Sequence, residues 1–125
     1  MPASFKFSSQ NLETVGKFFS NMKLNNNAVI EFRDPSWWTA IGIVFCSVDA
    51  PELPHARIVT NTTIYVRIHG YKKWYQYIYS KTELETILTS IRKLNAGRKA
   101  IYLNNDHGML ENGLYLLRKL KPVEV

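Results

Sequence analysis

Apolar positions along the chain change period from segment to segment, and that pattern predicts its elements. Residues 9–22 carry Leu12, Val15, Phe18, Phe19 and Met22 at helical spacing, with Ser8 or Ser9 placed to cap the start. Residues 28–33 alternate like a strand, with Val29, Glu31 and Arg33 on one face and Ile30 and Phe32 on the other. Asp34-Pro35-Ser36 breaks that strand, because proline disfavours helix at the residue before it and offers no ladder donor. Residues 41–49 form a nearly continuous apolar run ending in Asp49, the mark of a strand buried on both faces. Residues 52–61, which follow Pro51 and contain Pro54, read as a loop.

In the third strand candidate, residues 62–70, Ile64, Val66 and Ile68 share one face while Tyr65, Arg67 and His69 share the other. An aromatic and polar stretch, residues 71–80, reads as irregular. Ser80-Lys81-Thr82-Glu83 then resembles a capping box opening a helix built on Leu84, Ile87, Leu88, Ile91 and Leu94, with Asn95-Ala96-Gly97 as its stop. Residues 99–103 form a fourth strand leading into Asn104-Asn105-Asp106-His107-Gly108, and a last helix spans about residues 109–120. Strands separated by helices, with polar residues gathered at strand C-terminal ends, predict an α/β architecture in which a ligand would meet those ends.

Composition narrows this picture. At 125 residues, 46% hydrophobic and 13% aromatic, the chain suits one folded domain over residues 1–125. No apolar run approaches the ~20 residues of a membrane-spanning helix, and Met1-Pro2-Ala3-Ser4-Phe5-Lys6 lacks signal-peptide character, so the expectation is a soluble, cytoplasmic chain. The net charge of +6 raises nucleic acid as a partner, but the basic residues come as scattered pairs such as Lys72-Lys73 and Arg98-Lys99. Nucleic acid is therefore the less favoured partner, with Tyr71 to Tyr79 as the stretch that would stack on bases. Cys46 reads as a small buried thiol.

Polar side chains in good strands cost desolvation unless they find partners, so Arg67 and His69 point to a lined cleft or a polar network. Glu31, Asp49, His69 and Asp106 are the candidates for acid or base work, and Arg33 and Arg67 for holding an anion. Glu31 paired with either arginine is equally readable as a buried ion pair between strands. His69, His107, Asp49 and Asp106 show no spacing typical of a metal site, and neither a phosphate loop nor a Gly-x-Ser-x-Gly elbow is present. No metal and no cofactor is expected.

The ordered series Glu31-Phe32-Arg33, Pro35-Ser36-Trp37, Val48-Asp49-Ala50-Pro51, Tyr65-Val66-Arg67-Ile68-His69-Gly70, Trp74-Tyr75, Tyr77, Tyr79-Ser80 and Asn104-Asn105-Asp106-His107-Gly108 resembles the YecE-like family, domain of unknown function 72. The resemblance implies a TIM barrel with a polar pocket at its C-terminal face, and no established reaction. It places Glu31, Arg33, Asp49, Arg67, His69, Tyr75, Tyr77, Asn104, Asn105 and Asp106 in that pocket, with Arg33, Arg67, His69, Tyr75, Tyr77, Asn104 and Asn105 as ligand-binding residues.

A whole barrel of this kind takes about 250 residues, so the chain resembles only the C-terminal half. The expected fold class is therefore α/β: a partial, half TIM-barrel-like arrangement of about four mostly parallel strands with covering helices. The resemblance implies a helix after the Pro-Ser-Trp turn, yet Trp38 and Ile41 lie almost adjacent. A parallel crossover normally needs about a dozen residues, so the connection is either an extended return or joins strands that are not parallel neighbours. Open strand edges predict pairing with a complementary chain or with a second copy. The expected function is a pocket for a small anion or phosphate ester. The alternative is a non-catalytic binding or assembly module, or one half of a split barrel.

Overall fold

The computed structural model of the chain describes residues 1–23, 28–39 and 46–120. Its elements in order are helix α1 (Ser9–Asn21), a 3-10 turn (Pro35–Thr39), strand β1 (Cys46–Asp49), strand β2 (Thr63–Ile68), helix α2 (Lys81–Arg92), strand β3 (Arg98–Leu103), a second 3-10 turn (Asp106–Gly108) and helix α3 (Met109–Leu120). The three strands form one parallel sheet in the order β1-β2-β3.

The parallel register fixes the two faces of the sheet. Cys46 lies beside Tyr65, Val48 beside Arg67, and Arg67 beside Tyr102, so these share one face with His69 beyond the end of β2. Ser47, Asp49, Ile64, Val66, Ile68, Ile101 and Leu103 share the other. That second face carries the main core, where Ile64, Val66 and Ile68 are fully buried against Leu84, Leu88 and Ile91 of α2 and Leu116 of α3. Each such side chain contributes roughly 1.5–3 kcal/mol by leaving water. The helix α2 forms where expected: Ser80 caps it, and Glu83 reaches back to complete the capping box.

A second cluster anchors the segment that precedes β1. Trp37 is fully buried, stacked on Phe32 at 4.0 Å and on Phe5 at 5.4 Å, and its indole nitrogen donates to the Phe5 carbonyl at 2.6 Å. Val15 of α1 closes the cluster, which gives the N-terminal helix its covering role. With Phe32 turned into this core, Glu31 and Arg33 are turned out of it, toward Arg67.

The second strand candidate differs from the pattern predicted. Residues 28–33 contain one bridge position, Ile30, whose carbonyl accepts the Cys46 N–H at 2.8 Å, rather than a regular ladder among the described residues. The turn expected at residues 25–27, and residues 41–45 of the apolar run, lie outside the described residues. Among the described residues three strands are therefore named where four were expected. The Pro35–Thr39 turn occupies the place read as a break.

Candidate functional site

Glu31 is the hub of the polar side of the sheet. Its Oε2 accepts from the Arg67 guanidinium at 2.8 Å and lies 3.3 Å from His69 Nε2, while its Oε1 accepts from Arg33 Nε at 3.1 Å. Two segments distant in sequence, residues 31–33 and 67–69, thus meet at one carboxylate. Burial works against its charge, but His69, Arg67 and Arg33 outweigh that and hold the carboxyl at about 2. Glu31 is therefore ionised throughout the ordinary pH range.

His69 is fully buried. Asn104 Nδ2 sits 3.2 Å from its Nδ1, so the hydrogen-bond network assigns the proton to Nε2, which donates to Glu31. Just after it, Gly70 takes a φ of +132°, and a Cβ there would fall 2.1 Å from the Lys73 carbonyl oxygen. That turn folds the chain back so that the Tyr75 N–H reaches the His69 carbonyl at 2.7 Å. As a result Trp74 and Tyr75 flank the imidazole at 5.3 and 5.4 Å, and the Arg33 guanidinium lies 5.5 Å from the centre of the Trp74 ring.

Two guanidiniums face one carboxylate, which leaves net positive charge whichever state His69 holds. Arg33 and Arg67 keep 39% and 33% of their side chains exposed, against 10% for Glu31. A guanidinium carries five N–H donors and each donates one here to Glu31, so the pair has both the charge and the reach to meet an anion. Cys46 lies beneath, 3.9 Å from Glu31 Oε2; burial, then the Glu31 charge, pushes its thiol up to about 12, so it stays protonated and is no nucleophile.

The structure brings Glu31, Arg33, Arg67, His69, Tyr75 and Asn104 together and places the other predicted residues elsewhere. Asp49 points to the helix-covered face, where Arg57 lies 3.1 Å from Oδ2 and His55 3.1 Å from Oδ1, lining a cleft of about 410 Å³ with Tyr71 and Tyr79. The reason is parity: Asp49 is paired with Ile68, one residue out of phase with Arg67. Tyr77 donates its hydroxyl to Glu83 at 2.5 Å and so braces the start of α2. Asn105 is fully buried, and its Nδ2 donates to the Tyr77 carbonyl and to Asn112 Oδ1, both at 2.8 Å, tying the 71–80 loop to α3. Asp106 is exposed at the head of the second 3-10 turn with a φ of +44°.

Among the described residues no cluster of three or more His, Cys, Asp or Glu could hold a metal ion. The rings of the 71–80 loop pack on protein groups, with Tyr77 edge-on to Tyr79 and Tyr71 stacked on His55. Trp74, Arg57 and Asn112 were not singled out as site residues by the sequence. Asn112 alone carried a signal, a polar residue one helical turn from Leu116 on the buried side of α3.

Residues 1–122 match the family described as "Protein of unknown function DUF72", for which YecE-like is a synonym. Among solved structures, the chain is similar to a DUF72 family protein of Thermotoga maritima MSB8, at 27% identity and a TM-score of 0.83 over 98% of this chain and 56% of that one. It also superposes on a DUF72 family protein of Enterococcus faecalis V583 in two crystal structures, at 19% and 21% identity with TM-scores of 0.78 and 0.76. Those matches cover 100% and 96% of this chain and 60% and 58% of the Enterococcus chain. The chain thus spans 56–60% of the length of the solved relatives it matches. No curated protein matches it. The ordered motifs, the match over residues 1–122 and the shared fold converge: the chain belongs to the DUF72 family.

Proposed function

We propose that the chain binds a small anion or phosphate ester at the ends of its strands, with Arg33 and Arg67 as the ligand-binding cations. One observation carries this reading: two partly exposed guanidiniums share a single, more deeply buried carboxylate. A purely structural ion pair would balance one cation with one anion and bury both, because an unpaired buried charge is expensive. Here the surplus charge faces solvent, where a phosphate can accept bidentate hydrogen bonds from guanidinium N–H groups. Glu31 acts as a positioning residue, holding both guanidiniums on the same side of the sheet, and His69 with Asn104 holds Glu31.

Titration calorimetry with inorganic phosphate at low salt tests the proposal. Binding should weaken as salt rises, because exposed charges are screened, and should fall at least tenfold in Arg67→Ala. Equal binding by Arg67→Ala and the parent, with both folded by circular dichroism, overturns it.

A second reading has its own observation in the open side of the sheet. β3 is an edge strand among the described residues, Tyr102 is 47% exposed, and α3 presents Leu110, Leu114 and Leu117 to water on one stripe. This supports a half TIM-barrel-like fold whose remaining strands come from outside residues 1–125. A two-fold axis would set two copies of β3 antiparallel and so break the parallel order of the sheet. A complementary polypeptide that continues the parallel order therefore fits the edge better than a second copy does.

A further inference from the structure

On one flank of the guanidinium pair lies an aromatic surface that anion binding alone does not use. Tyr102 stands beside Arg67 in the register of β2 and β3, about 4.8 Å away across the ladder, on the same face of the sheet. One face of its ring is covered by Tyr65, which stacks on it at 4.5 Å and 17°. Its side chain is nevertheless 47% exposed, whereas Tyr65 is only partly so. The pair is a short stack with an open end, and a guanidinium sits at its side. On the other flank Trp74 lies under Arg33, so the cations are bracketed by rings.

We infer that the anion taken by the Arg33 and Arg67 site is borne on a planar aromatic ring, which extends the Tyr65–Tyr102 stack while its phosphate meets the guanidiniums. This rests on the anion-binding reading and names the class of ligand that site prefers: an aryl phosphate, or a larger phosphomonoester whose ring lies close to the phosphate. A ring on Tyr102 gains dispersion and replaces ordered water, and it does so for any flat π-face. An ester with an aliphatic body has no such surface to meet.

Three probes separate the contributions: inorganic phosphate, methyl phosphate and phenyl phosphate, titrated by quenching of tryptophan fluorescence and checked by calorimetry. Phenyl phosphate should bind about tenfold more tightly than methyl phosphate, the gain expected from one stacked ring. Tyr102→Ala should remove that advantage and leave methyl phosphate binding unchanged, while Tyr102→Phe should preserve it. Because Tyr102 is half exposed on the edge strand, both variants should keep the fold, which circular dichroism verifies. Equal affinity for phenyl and methyl phosphate overturns the ring inference and leaves the anion site standing. Failure of all three probes to bind overturns both.

Discussion

Glu31 stands at the centre of a charge balance with a measurable pH signature. Its carboxyl is held at about 2 in the fold against an ordinary value of 4.5. A group lowered by folding contributes stability that is present above its unfolded value and lost as pH falls through the folded one. The contribution should therefore be complete above about pH 5 and vanish by about pH 2, and a shift of this size corresponds to roughly 3 kcal/mol. Urea unfolding across pH 2–6 should show a steeper loss of stability in the parent chain than in Glu31→Gln. Parallel pH profiles for the two would show that the carboxylate carries no such linkage. Much of this cluster was legible in the sequence, because period-two alternation alone puts Glu31 with Arg33 and Arg67 with His69. Asp49 was not assignable that way. It ends a run apolar on both faces, so only pairing with β2 reveals which face it takes.

Among the elements, the loop between β2 and α2 is held less by its own sequence than by two asparagines beyond it. Asn112 accepts from the Tyr79 N–H at 3.1 Å and donates to the Tyr79 carbonyl at 2.9 Å, while Asn105 Nδ2 bonds the Tyr77 carbonyl. Gly108 permits this approach, since a Cβ there would lie 2.7 Å from Asn105 Nδ2. Asn112→Ala would strand a buried N–H and a buried carbonyl and should cost about 2–4 kcal/mol in chemical denaturation. A loss under about 0.5 kcal/mol would show that the loop is anchored elsewhere. Helix α2 was readable to within a few residues because its cap, its first acidic residue and its apolar stripe agree. At residues 28–33 the described residues show one bridge position, Ile30: alternation states which residues share a face, but ladder pairing depends on a neighbour that sequence does not name.

Among the described residues the sheet is covered by helices on one face and open at the β3 side. Leu116 of α3 is buried at 3% exposure while Leu110, on the opposite side of the same helix, is 74% exposed. Leu116→Ala should cost about 2–5 kcal/mol, whereas Leu114→Lys should change stability by no more than about 0.5 kcal/mol, since that stripe already meets water. If Leu114→Lys proves as damaging as Leu116→Ala, the stripe is covered and the open-sided account fails. Light scattering at micromolar concentration should return a monomer for residues 1–125, and a stable two-fold dimer would contradict the preference for a complementary partner. Family membership followed from an ordered series of short motifs spread over the chain, whereas the open edge was only implied by length.

The central claim is that Arg33 and Arg67, held by Glu31, form an anion site, and its most direct test is an NMR titration with inorganic phosphate read residue by residue. The shifts should concentrate at Arg33, Arg67, His69 and Asn104 and saturate together with one affinity. Shifts centred instead on Asp49, His55 and Arg57, in the cleft across the sheet, or no saturable shift at all, would contradict it.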